Sequence, residues 1–328
     1  MKNIISLAFI SLFLFGCAGV GAKKQADPVL LSNAKVIAGK NQVLLGDFRV
    51  SFITFDKSSA KAESSMFSSD SGYARSTLRA KLAGVPDSVM QELTDAAYQD
   101  FVKKLKANGY TLANGSVLTA NGEWQKLDTE ASPKKITSSF KALTGGNQES
   151  STFAPSGKSL IKLNVAKMMP YQVYSAANEV GMPILNVNYT VHFVYFGSET
   201  DYKANAYTDI KGAEYSAEVS AGQGIQVVPG SGLDLIMGVT STFNDPNAKL
   251  SIGAPVVVPG PFGRSNDATS GFQKAANTFS AVMGMVSGGA SSAKDIDIIA
   301  DPDVYAANAK KALLEANQRL TSALAAAK

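Results

Sequence analysis

The chain has 328 residues, of which 45% are hydrophobic, ample for a sizeable core and too long for one minimal domain at about 100 to 200 residues per domain. Charged residues make up 18%, and 31 Lys plus Arg against 27 Asp plus Glu leave a net charge of +4, a nearly balanced surface that argues against a dedicated nucleic-acid binder. One Cys and one His exclude an intrachain disulfide framework and a Cys/His zinc site, and leave at most one imidazole for acid-base work.

The amino terminus starts with Lys2, continues as an apolar run from Ile4 to Phe15 broken only by Ser6 and Ser11, and reaches Gly16-Cys17. The run is too short to span a bilayer, which takes about 20 residues, so it reads as an export signal. Leu14-Phe15-Gly16-Cys17 resembles the lipobox of bacterial lipoproteins, with Phe15 in place of the smaller residue usual there. The resemblance implies cleavage before Cys17 and a diacylglycerol on its thiol; an ordinary signal peptide with an incidental cysteine is the competing reading. Acyl chains contribute about 0.8 kcal/mol per buried CH₂, so a multiply acylated Cys17 anchors the chain to a membrane without spanning it. In enterobacterial lipoproteins an Asp after the Cys retains the protein at the inner membrane, so Ala18 implies the outer membrane. The small, polar stretch from Ala18 to about Lys40 reads as a tether.

The first strand is expected over Val43 to Phe55, where Phe48, Val50 and Phe52 alternate with Asp47, Arg49 and Ser51. Ser58 to Gly72 is Ser-rich without periodicity and reads as a loop. Pro86, the pair Ser88 and Gln91, and Asn108-Gly109 delimit a predicted helix whose apolar stripe is Val89, Leu93, Ala97, Phe101 and Leu105. With Tyr110 to Leu112 as a returning strand, Val43 to Leu112 has the content of a βαβ unit. Asn114 to Gly157 is polar and turn-rich, and Ser159 to Ala166 alternates as a strand. Pro170 opens a short helix that Gly181 closes, and a long strand is expected from Ile184 to Phe196, with Asn186, Asn188, Thr190 and His192 on its polar face.

Tyr202 to Phe262 holds short strand-like runs cut by Gly and Pro, which predicts β-hairpins or an inserted β subdomain. Asp267 to Val286 has helical spacing, Ile296 to Ile299 is a short strand, and Asp301-Pro302-Asp303 starts a last helix to about Ala327 with Ala307, Leu313, Leu314, Leu320 and Leu324 as its apolar positions. The expected class is α+β: an α/β body with βαβ-like units, an inserted hairpin-rich region and a carboxy-terminal helix. The boundaries are a signal peptide over 1–16, a lipidated tether over 17–40, an α/β domain over 41–200, a β-rich insertion over 201–264, and a helix-strand-helix over 265–328 that completes the body.

Motifs for chemistry are sparse. His192 would need a nucleophile and an orienting carboxylate from elsewhere to act as a general base, and reads instead as a surface or lumen-facing side chain. Gly222-Gln223-Gly224 and Gly230-Ser231-Gly232 have no following Lys-Ser/Thr and read as hairpin turns, not phosphate cradles. Asp295, Asp297, Asp301 and Asp303 place four carboxylates within nine residues, but calcium takes six to eight oxygens, and a helix cap at Asp301 or Asp303 explains part of the cluster. Tyr171, Tyr174, Tyr189, Tyr195, Tyr202, Tyr207 and Tyr215 concentrate aromatic hydroxyls that could line a glycan or peptide site or form a membrane-interface belt on β-hairpins, though half-buried strand positions account for most of them. No catalytic residue, cofactor site or metal site is assigned, and the chain is read as non-enzymatic.

The order of elements over about the first two-thirds of the chain, together with Leu14 to Cys17, resembles the curli-secretion-channel lipoproteins and related envelope lipoproteins. That resemblance implies an α/β periplasmic domain that self-associates, as a homo-oligomer or with other envelope proteins, in a structural, assembly or secretion role. Lys203, Asp209, Lys211, Glu214 and Glu218 on the candidate hairpin would be costly on a lipid face. The expected location is the outer membrane, facing the periplasm, with the cell surface as the other orientation. The alternative reading is a periplasmic or surface module that binds a small molecule, glycan or peptide, and a hydrolase with an unfamiliar constellation is the third.

Overall fold

The computed structural model describes residues 27–63, 73–138, 148–164, 168–203, 214–241, 245–270 and 289–328. Strand β1 (Val29–Ser32) pairs antiparallel with Ile252 to Lys249, and Ile37, just beyond a 3-10 turn at Ala34–Val36, is fully buried. The segment from Val29 to Lys40, expected as tether, is therefore part of the fold. Val29 packs against the core, while Leu30 and Leu31 are exposed on this short edge strand.

Strand β2 (Gln42–Glu63) contains the predicted strand and runs on through Ala60 and Ala62, both buried, where a loop was expected; residues 64–72 lie outside the described residues. Its apolar positions change parity between Leu45 and Phe48. The parallel register against β9 (Ile184–Lys203) pairs Leu45 with Leu185 and Phe48 with Val187, so Gly46 and Asp47 together face Asn186 alone. This bulge returns Phe48, Val50 and Phe52 to the face already used by Val43 and Leu45. Glycine is needed there, because a Cβ on Gly46 would lie 2.5 Å from Asn186 Oδ1 and 2.7 Å from Ile184 Cγ2.

Strand β3 (Tyr73–Ala83) pairs antiparallel with β2, and helix α1 (Asp87–Ala107) follows it. The helix buries Met90, Leu93, Ala97, Phe101 and Leu105 and ends at Asn108, with Gly109 at φ +79°. The Ser88 and Gln91 capping pair does not form: Pro86 is the capping residue, Ser88 lies inside the first turn, and the Gln91 amide donates to Asp95 and to the Ala154 carbonyl. Strand β4 (Thr111–Leu112) returns parallel to β2, but β3 intervenes, so the segment is β-β-α-β where βαβ was expected. The small and basic residues of β3 hide its alternation.

The turn-rich stretch yields only short elements: α2 (Ser116–Thr119), α3 (Gly122–Gln125), β5 (Thr129–Glu130), β6 (Lys134–Ser138) and β7 (Gln148–Phe153). Of the strand expected over Ser159 to Ala166, Leu160–Ile161 form β8, which pairs with β5; residues 165–166 lie outside the described residues. Helix α4 (Tyr171–Val180) and its Gly181 terminus at φ +68° match the prediction. Beyond β9 come β10 (Glu214–Val227), β11 (Gly232–Ile236), β12 (Ala248–Ile252), β13 (Val256–Pro259), β14 (Gly263–Asp267), β15 (Gly289–Ala300) and helix α5 (Pro302–Ala326). Asp301 caps α5, accepting from the Asp303 N–H at 3.0 Å and the Val304 N–H at 3.2 Å. Its buried stripe starts at Tyr305 and includes Leu313, Leu320 and Leu324, whereas Ala307 is exposed. Asp267 ends strand β14, and the remainder of the helix expected to Val286 falls mostly on residues 271–288, outside the described residues.

The fold is mixed α/β with a large mixed sheet. Its main path runs β1-β12-β11-β9-β2-β3-β15-β14, with β10, β13, β4, β6 and β7 attached beside it. Strands β11 and β12 join β9 to β1, so the 201–264 region, expected as an insertion, supplies integral strands of the sheet. Helices α1 and α5 cover one face, where Phe48 meets Tyr98, Phe101 and Tyr189 at ring-centroid distances of 5.3 to 5.9 Å. On the opposite face α2, α3 and α4 cover one end around Leu44, Val173 and Ile184. A third, small cluster of Ala60, Leu78 and Val219 lies where β10 packs on β2 and β3.

Asp234 on β11 stands between Asn186 and Lys249, and burial raises its carboxyl above the usual range, with Lys249 opposing the shift. An acid that takes up its proton more readily when folded costs stability at neutral pH, and that cost fades as the pH falls through the raised folded value to the ordinary carboxylate range. Asp234→Asn is therefore expected to raise the urea midpoint at neutral pH and to leave it unchanged at about pH 3, below the ordinary carboxylate value. A lower midpoint at neutral pH would show that the pairing with Lys249 outweighs burial.

Candidate functional site

The polar face of β2 and β9 is left uncovered between the α4 cluster and the Ala60 cluster, and a cleft of about 550 Å³ opens there. Its floor carries Arg49, Ser51 and Thr190, which parallel pairing sets side by side, since Arg49 registers with Asn188 and Ser51 with Thr190. Strand β7 continues the floor on the other side of β2, and its Thr152 Oγ1 meets Ser51 Oγ at 2.7 Å. Lys134 of β6, which registers with Thr152, and Glu130 of β5 stand at the rim, and the buried Ile53 and Leu160 back the cleft beside Leu163.

Arg49 is held before any ligand arrives. Its Nε donates to Asp47 Oδ2, and its Nη2 donates to the Ile161 carbonyl at 2.9 Å. Asp47 Oδ1 accepts the Ile161 N–H at 3.3 Å, and the Asp47 N–H donates to Asn186 Oδ1 at 2.7 Å. The Arg49 and Asp47 side chains are 11% and 1% exposed, so the bulge at Gly46 sets a buried ion pair that clamps the backbone of β8. Lys134 pairs with Glu130, while Lys135 has no ion-pair partner among the described residues.

His192 departs from the surface or lumen-facing position expected for it. It is buried, its Nε2 lies 2.7 Å from Asp56 Oδ2, and its Nδ1 is 3.4 Å from the Val194 N–H. Both ring nitrogens thus face protein groups, and the orienting carboxylate lies 136 residues away in the chain, beyond any local motif. The pair ties β9 to β2 just past the end of their backbone pairing at Phe52 and Val191.

The remaining candidates disperse. Gly222 and Gly224 lie within β10 under the Tyr195 ring, where a Cβ on either would enter the ring, so they make room for packing and are not turn residues. Gly230 at φ +89° does form a turn. Asp295 binds Arg79 through two contacts of 2.5 and 3.1 Å, and Asp301 caps α5. Among the described residues no group of three or more His, Cys, Asp and Glu side chains is placed to hold a metal. Tyr189 is in the core, Tyr195 donates to the Gln223 carbonyl, Tyr174 on α4 packs against the Leu44 cluster and Tyr171 is exposed, so these four do not converge. Tyr207 and the side chains of Tyr202 and Tyr215 lie outside the described residues, as does Cys17. The Arg49 cleft was missed, although Asp47, Arg49 and Ser51 had been placed on the polar face of their strand.

Among the described residues no helix is long and apolar enough to cross a membrane, which says nothing of strands. No protein-family model matches the chain, and neither a curated protein nor a solved structure matches it.

Proposed function

We propose that this chain is a lipid-anchored, non-enzymatic component of the bacterial cell envelope, held by Cys17 at the outer membrane and facing the periplasm, and that it works by self-association in a structural or assembly role. The observation that supports this most directly is a set of open strand edges at the end of the sheet away from α4. Among the described residues, β2 from Asp56 to Glu63 pairs only with β3. Beyond Phe193, β9 pairs only with β10, and β10 from Glu214 to Gln223 pairs only with β9. A strand edge that no second strand covers is a template for strand addition by another chain. Glu218 is exposed on β10, which suits a watery or protein neighbour better than a lipid face.

Extracting the lipidated protein in mild detergent and measuring its mass by light scattering, beside the Cys17→Ser chain, tests this reading. A defined oligomer in the lipidated form is the expected result. Monomers in both forms would remove the self-association role and leave a membrane-tethered binding module as the better account.

A further inference from the structure

Going beyond the assembly reading and independent of it, we infer that the outward face of β2 and β3, past the cleft, docks on an anionic lipid surface through the phosphates of its head groups. The antiparallel register sets Lys57 directly opposite Arg79 and Lys61 directly opposite Arg75, with Lys81 opposite Phe55 in the same row. Midway between the two pairs the Ser59 and Thr77 hydroxyls meet at 3.0 Å, which places all of these residues on one face. The other face of the same strands is buried, where Ala60 and Leu78 pack with Val219 of β10. Like charges directly opposite one another destabilise a sheet, and this face carries two such pairs in succession.

Pairing within the protein accounts for little of this charge. Asp295 of β15 takes up Arg79, while the other two acids of the face stand at its ends, Asp297 in register with Lys81 and Glu63 with Tyr73. Lys57, Arg75 and Lys81 have no ion-pair partner among the described residues. Lysines on an open edge strand discourage unwanted strand pairing, which would explain Lys57 and Lys61. Strand β3 lies between β2 and β15, however, so its Arg75, Arg79 and Lys81 guard no edge. The cations form a two-dimensional array, about 5 Å apart across the strands and about 7 to 14 Å apart along them, a layout that suits a plane of head groups better than one linear phosphate backbone. Tyr73 and Ile299, 40% and 45% exposed, share the face and offer an amphipathic and an aliphatic side chain to the head-group layer. About 40 Å of extended strand separates Lys57 from Leu44 beneath α2, α3 and α4, so those helices leave the face open to a plane.

The test is co-sedimentation of the full chain carrying Cys17→Ser, so that no acyl chain contributes, with vesicles of phosphatidylglycerol and phosphatidylcholine in equal parts and with vesicles of phosphatidylcholine alone. Binding to the anionic vesicles at least about tenfold tighter than to the neutral ones, weakening as salt is raised, is expected. Adding Lys57→Gln, Arg75→Gln and Lys81→Gln together should weaken that binding at least about tenfold. Because these changes relieve like-charge opposition, the urea midpoint should not fall. Arg75 is exposed, and Arg75→Gln alone should weaken binding at least about threefold, which keeps the inference testable if the triple variant does not fold. Lys310→Gln with Lys311→Gln, exposed on α5 across the sheet, should bind as the parent does. The inference is overturned if neutral vesicles are bound as tightly, if the folded triple variant or Arg75→Gln binds as the parent does, or if the α5 pair costs as much, which would make net charge the cause. Duplex DNA bound as tightly per phosphate as the anionic vesicles would move the face to nucleic acid and overturn it too.

Discussion

Arg49→Leu is expected to destabilise the protein by about 3–5 kcal/mol, because removing one partner of a buried ion pair leaves the other charge uncompensated. The Asp47 carboxylate is 1% exposed and would keep only the 3.3 Å bond from the Ile161 N–H. The Ile161 carbonyl would lose its donor as well, so only the Ile161 N–H would still tie that residue of β8 to Asp47. Urea unfolding followed by the fluorescence of Trp124, the only tryptophan, reads this directly, since that ring lies against Gly46 beside the clamp. Adding Asp47→Asn should recover much of the loss by removing the stranded charge. A double variant whose loss equals the sum of the two single losses would mean that Asp47 and Arg49 are not energetically coupled.

Asn317→Leu should cost a comparable amount, about 3 kcal/mol or more, by breaking the polar junction between the two long helices and the sheet. Asn317 is fully buried. Its Oδ1 accepts the Tyr189 hydroxyl at 2.6 Å, and its Nδ2 donates to the Ala97 carbonyl at 2.9 Å and to Asp100 Oδ2 at 2.8 Å. Leucine keeps the branching at Cγ, adds bulk, and leaves the Tyr189 hydroxyl without its acceptor in the core. Burial already drives that hydroxyl strongly toward its protonated form, so it stays a donor that needs a partner. Tyr189→Phe removes the need, and the Asn317→Leu penalty measured in a Tyr189→Phe background should fall by at least about 1 kcal/mol. An unchanged penalty would place the energy in the α1 contacts alone.

Several elements could be read because their signals are local. Pro170 and Gly181 bracket α4, Asp301-Pro302 starts α5, and Asn108-Gly109 ends α1, each through a backbone preference that depends on neighbours a few residues away. The periodicities of α1 and β9 were strong for the same reason. Strand β3 was not legible: its buried face is only Leu78, Ala80 and Leu82, three positions set between Arg79 and Lys81 after a small, polar first half, and β2 on one side and β15 on the other extend it by pairing.

The candidate site follows the same division. From the polar row Asp47, Arg49 and Ser51 the face of β2 could be derived, but not that β7 would bring Thr152 to Ser51 across 101 residues, or that β6 would set Lys134 beside Thr152. His192 could be assigned to the polar face of β9, yet its burial depends on Asp56 arriving from β2, a contact no local pattern encodes. By itself the sequence determined a mixed helix and strand content, the apolar faces of the long elements, the ends of their helices and a resemblance to a lipidation signal, all properties of neighbouring residues. Only the tertiary structure decided that the 201–264 strands belong to the main sheet, that a bulge at Gly46 turns Asp47 and Arg49 into a buried clamp, and that a cleft opens above them, because strand pairing and burial are set by residues far apart in the chain.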